Sequence, residues 1–149
     1  MRFFSKIPID KKQLEAAIAR LELQTSAELR VYIERNLPRT IDEISAMERA
    51  LQVFKSLEMH RTAQQNAVLI YLCYNRHLCA IIGDKGIHQF VSADFWSVEC
   101  ERLIQDFKQK NYTKGIISAI ERIAEELIRY FPADTNNPNE LPNEVIIHD

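Results

Sequence analysis

The segment Gly83-Asp84-Lys85-Gly86-Ile87 gathers two of the chain's three glycines around one aspartate and one lysine, directly after the apolar run of residues 78–82. Three chemistries fit such a loop. It can be a plain strand exit, in which glycines take positive φ and Asp84 hydrogen-bonds its own backbone. It can offer a carboxylate and closely approaching carbonyl oxygens to a hard cation such as Ca²⁺ or Mg²⁺. It can hold an anion on backbone N–H groups, although it lacks the glycine run and the Ser/Thr ending of a phosphate-binding loop. A single aspartate holds a cation poorly, so the question is which other oxygens the fold delivers to it.

The surrounding elements bear on that. Asp10, with an amide three residues on at Gln13, caps a first helix over about 10–24, with Leu14, Ala17, Ile18 and Leu21 on its apolar stripe. Leu29, Val31 and Ile33 alternate with Arg30, Tyr32 and Glu34, the pattern of a strand with one buried face. Thr40 and Glu43 read as a capping box for a second helix, marked by Ile44, Met47, Leu51 and Phe54 and ending near Leu57. Residues 67–73 and 78–82 are short runs apolar on both faces, which predicts strands covered on both sides. Between them a tight turn through Asn75-Arg76, with Asn75 tolerating positive φ, predicts a hairpin. A third helix begins at Ser92 and Asp94, with Phe95, Val98, Leu103 and Phe107 on its apolar side. A fourth follows Tyr112 and repeats Ile116, Ile120, Ile123 and Leu127. Residues 132–149 form a Pro/Asn-rich tail that ends in a short strand or a docked segment.

This order predicts a single α/β domain over residues 1–149 with its core in about 10–131. The architecture is a three-layer α-β-α sandwich, a small mixed sheet with helices on both faces. The connection from the strand at 28–34 to that at 67–73 should be a right-handed crossover, making the two parallel. The hairpin then returns Asp84 to the end of the sheet where both begin. Glu28, Asn66 and Asp84 are expected to gather there, with Ser26, Arg61, Lys85, Gly86 and His88 as neighbours. Glu28 and Asp84 would be the cation ligands.

Composition excludes other classes. The 149 residues carry a formal net charge of -2 and are 46% hydrophobic, which lacks the basic excess of a nucleic-acid binder. No apolar run approaches the roughly 20 residues of a membrane span, and the first residues have no continuous apolar stretch or small-residue cleavage site of a secretory signal. A cytoplasmic location follows as the expectation. Cys73, Cys79 and Cys100 form no CxxC pattern and read as reduced thiols acting as small hydrophobes. The four histidines show no i, i+4 pair, so zinc is not expected. No G-x-S-x-G elbow and no sequence motif of the large phosphatase classes is present.

The stretches "TSAELRVYIE", "RTAQQNAVLIYL", "AIIGDKGIHQF", "NYTKGIISAIERIAEELIRYFP" and "NELPNEV" resemble, in that order, the TPM domain family over about residues 10–147. The resemblance implies an α-β-α sandwich. It also implies functions found in that family: divalent-cation binding in an acidic crevice, acid phosphatase activity in a plant member, and assembly or repair of membrane-associated complexes. Carried onto this chain, the loop aspartate is Asp84 and the acid that opens the first strand is Glu28. The chain departs from the family pattern at Lys110-Asn111, where an acidic residue commonly precedes the tyrosine, and at Asn75-Arg76. Fewer carboxylates imply looser cation binding. The reading is a domain that binds Ca²⁺ or Mg²⁺ weakly and serves a partner protein. The alternatives are a metal-dependent acid phosphatase using the same crevice and a purely structural interaction domain.

Overall fold

A computed structural model describes residues 6–39, 43–133 and 140–149. Helix α1 (Lys11–Glu22) is capped as its sequence requires: Asp10 accepts from the Gln13 N–H at 3.1 Å, and Leu14, Ala17, Ile18 and Leu21 are buried. Strands β1 (Glu28–Glu34) and β2 (Ala67–Cys73) pair in parallel, with Glu28 opposite Ala67. Strand β3 (Leu78–Gly83) returns antiparallel to β2, and β4 (Ile146–His148) adds in parallel to residues 32–34 of β1. The sheet order is β3-β2-β1-β4. Helices α1, α4 (Ala93–Lys108) and α5 (Tyr112–Tyr130) pack on one face, against Leu29, Val31, Val68, Ile70 and Ile81. Helix α2 (Ala46–Ser56) covers the other, against Tyr32, Leu69, Tyr71 and Ala80. A 3₁₀ turn (Met59–Arg61) and the four-residue helix α3 (Lys85–His88) complete the chain. The three-layer α-β-α sandwich is as expected.

Four local expectations are corrected. Helix α2 starts at Ala46 under a capping box made by Ser45 and Glu48; Thr40 lies outside the described residues, and Glu43 pairs with Arg76 at 2.8 Å. Its buried face is Ala50, Val53 and Phe54, while Met47 and Leu51 are half exposed. Ala50 is small enough to let the helix settle on the sheet along that line, which turns the larger residues outward. On α4, Val98 likewise faces solvent, and Trp96, Glu99, Leu103 and Phe107 are inside. In the hairpin the positive φ falls on His77, at 50°, and not on Asn75.

Strand β1 is buried along its whole length, so its polar alternate residues do not face water. Glu34 is held by Arg49, whose Nε and Nη2 donate to the two carboxylate oxygens at 2.8 and 3.0 Å, and by the Tyr71 hydroxyl. The packing also extends beyond residues 10–131, since Ile7, Leu141 and Val145 are buried.

Candidate functional site

The register fixes one end of the sheet. Glu28 lies opposite Ala67, and the Asp84 N–H donates to the Ala67 carbonyl at 2.9 Å. Glu28, Ala67 and Asp84 therefore form one row across three adjacent chains, with about 10 Å between the outer backbones at the usual strand spacing. Alternation gives the first two residues the face that α2 covers, with Tyr32, Leu69 and Tyr71. Asp84 follows Ala80 and Ile82 in phase on that same face.

Asn66, one residue before β2, is 1% exposed, and its Nδ2 donates to the Ser26 hydroxyl at 3.5 Å. The Asp84 Oδ1 accepts from the Lys85 N–H at 2.8 Å. Asp84 Oδ2 and Asn66 Oδ1 are both buried and meet no hydrogen-bond donor among the described residues. A buried acceptor left without a partner costs about 1–3 kcal/mol, so these two oxygens are the uncompensated groups of this rim.

Glu28 is 3% exposed and accepts from the Glu140 N–H at 2.7 Å. Because β4 pairs only with residues 32–34, the Glu28 end of β1 has no strand beyond it. Residues 140–141 and Glu22, at the end of α1, take that place. Burial and a hydrogen bond shared with the Glu28 carboxylate push the Glu22 carboxyl up to about 9, and burial raises Glu28 as well. The pair therefore favours a protonated Glu22 carboxyl against the Glu28 carboxylate, as expected when like charges meet away from water. Neither Glu22 nor Glu140 stands out in the sequence. A glutamate in the last turn of a helix reads as solvated, and the five residues between Glu22 and Glu28 are the one signal that could have shown those two meeting.

The sign of the resulting pH dependence is definite. A carboxyl whose pKa is higher folded than unfolded contributes stability that is whole below its ordinary value of 4.5 and is lost as pH climbs through about 9. Thermal denaturation followed from about pH 5 to pH 9 should show the melting temperature falling, and Glu22→Gln should flatten that fall. An unchanged slope in the variant would remove the Glu22 proton from the account.

The remaining expected neighbours are dispersed. Arg61 is exposed and pairs with Glu58 at 3.3 Å. Lys85 is exposed, and His88 lines an apolar groove with Trp96 and Cys100. Gly83 and Gly86 do not take positive φ. They serve close approach instead: a Cβ on Gly86 would sit 2.3 Å from the Gln64 carbonyl oxygen and 2.7 Å from that of Gln65. The loop's donors are occupied internally, Lys85 N–H by Asp84, Gly86 N–H by Gln65 and Ile87 N–H by the Asp84 carbonyl, which leaves no nest for a phosphate. Among the described residues no three His, Cys, Asp or Glu side chains stand close enough to enclose an ion.

The profile of the TPM domain family matches residues 4–126. The chain belongs to the TPM domain family. No curated protein matches it. Among solved structures, it is similar to the BA42 protein of the psychrophilic bacterium Bizionia argentinensis, at 35% identity and a TM-score of 0.80, covering 95% of this chain and 96% of that one. The N-terminal domain of a P. gingivalis protein shares the fold at 17% identity and a TM-score of 0.64, over 85% of this chain and 82% of that one. The N-terminal domain of the cg2496 protein of Corynebacterium glutamicum does so at 10% identity and a TM-score of 0.57, over 85% of this chain and 86% of that one. Among the described residues no helix is long and apolar enough to cross a membrane.

Proposed function

We propose that this TPM domain binds a divalent cation, Ca²⁺ or Mg²⁺, loosely at the rim formed by Ser26, Glu28, Asn66 and Asp84, and that it serves a partner protein rather than turning over a substrate. The observation that carries this reading is two buried, unpartnered oxygens at this end of the sheet, Asp84 Oδ2 in the row that Glu28 opens and Asn66 Oδ1 one residue before that row. Hard cations take oxygen ligands at about 2.3–2.6 Å for Ca²⁺, and carboxylate with amide oxygen is such a donor set. A water-activating phosphatase centre would need a second ligand set, and no such set is at hand among these residues; a chromogenic phosphate ester assayed with and without Mg²⁺ tests that alternative directly.

Titration with Ca²⁺ and then Mg²⁺, followed by backbone amide shifts, is the test. Shifts should concentrate at residues 26–28, 66 and 83–87, and Asp84→Asn should weaken binding by about tenfold or more. Saturable binding with shifts elsewhere, or with none in these segments, would refute the site. Partner capture from cell extract in the presence of Ca²⁺ or of a chelator addresses the second half of the proposal.

A further inference from the structure

Strand β3 is one edge of the sheet, and along it runs an apolar groove of about 450 Å³ between α2 and α4. Met47 and Leu51, the two α2 residues turned away from the core, line it together with Trp96 of α4. Cys79 on β3 and Cys100 on α4 both line it, both are half-buried, and their sulfurs are 3.1 Å apart. We propose that Cys79 and Cys100 are a dithiol site that small-molecule disulfides oxidise reversibly to an intramolecular disulfide, with the groove as their way in.

The geometry asks for little movement. A disulfide has an S–S length near 2.05 Å, so the sulfurs must close by about 1 Å, within the reach of side-chain rotation. The two thiols are also unequal. A hydrogen bond from the Cys79 thiol lowers the pKa of Cys100 and raises that of Cys79, although burial and the nearby Glu99 and Glu101 carboxylates oppose the Cys100 thiolate. The thiol–thiol contact favours Cys100 as the attacking sulfur, with Cys79 resolving. In the first step the Cys100 thiolate attacks one sulfur of the incoming disulfide, a mixed disulfide forms, and the other half leaves as a thiolate that takes up a proton. In the second, Cys79 loses its proton, attacks the Cys100 sulfur and expels the remaining half as a second thiol. The protein gives up two electrons and two protons, and one small disulfide becomes two thiols. Cys73, buried on the α2 face and bonded to the Arg35 carbonyl at 3.7 Å, takes no part.

The test equilibrates the full chain with glutathione and glutathione disulfide at stepped ratios, quenches with acid, alkylates the remaining thiols and maps the peptides. The expected result is a single internal cross-link joining residues 79 and 100, with Cys73 alkylated throughout. The oxidised protein should melt several degrees above the reduced one, because the bond closes a loop in the unfolded chain. Cys79→Ser should stop at a stable glutathione adduct on Cys100, and Cys100→Ser at one on Cys79, neither forming an internal cross-link. Adducts without a cross-link in the unaltered chain, a cross-link that uses Cys73, or no reaction in excess disulfide would each overturn the proposal.

Discussion

Alanine at Gly86 is expected to destabilise the protein by about 3 kcal/mol or more, enough to threaten folding at ordinary temperatures. The reason is steric and local. The added methyl would lie 2.3 Å from the Gln64 carbonyl oxygen and 2.7 Å from that of Gln65, distances that non-bonded atoms do not adopt. Both obstacles are backbone, so no rotamer change relieves them. The Gly86 N–H also donates to the Gln65 carbonyl at 2.8 Å, so moving α3 away breaks the bond that joins the two segments. Gln65 itself already has φ 50° and has little freedom to yield. Urea unfolding gives the answer; a loss below about 1 kcal/mol would mean that the two segments separate easily.

The Glu34 cluster should respond almost as strongly. Arg49→Met keeps most of the side-chain stem but withdraws the guanidinium bonded to this carboxylate through two hydrogen bonds at 2.8 and 3.0 Å. Glu34 is 6% exposed, and an orphaned buried charge costs about 3–5 kcal/mol. Arg49 keeps some contact with solvent, so a loss of about 2–4 kcal/mol is expected. The carboxylate also holds the Tyr71 hydroxyl, whose ionisation burial pushes to higher pH. In a Glu34→Gln background the Arg49→Met change should cost less than about 1 kcal/mol. Equal costs in the two backgrounds would show that Arg49 acts through packing alone, over the Tyr32 ring for example.

How far the sequence foretold this depends on where each residue's partners lie. The stripes of α1 and α5 were legible because a single period decides them, and Ile116, Ile120, Ile123 and Leu127 are all buried. The row holding Glu28 and Asp84 was legible because strand parity and one hairpin determine it, whatever the turn's detailed geometry. In α2 the same periodic reading chose Met47 and Leu51, since size misleads where a small residue such as Ala50 makes the contact. The polar half of β1 was read as solvated because its cover comes from elsewhere: Arg49 reaches Glu34 across 15 positions and Glu140 reaches Glu28 across 112. The Cys79–Cys100 approach has the same character, since a strand-to-helix contact carries no spacing rule.

The long reach from Glu28 to Glu140 has a kinetic consequence. The rim joins the end of α1, the start of β1, the turn before β2, the exit of β3 and a segment near the end of the chain. Contacts so distant in sequence close late on a folding pathway, after local helices and the hairpin have formed. The Glu140 contact to Glu28 and the buried Asp84 and Asn66 oxygens are thus properties of the finished molecule and of no partial one. An ion held there would slow unfolding and leave the early steps of folding untouched.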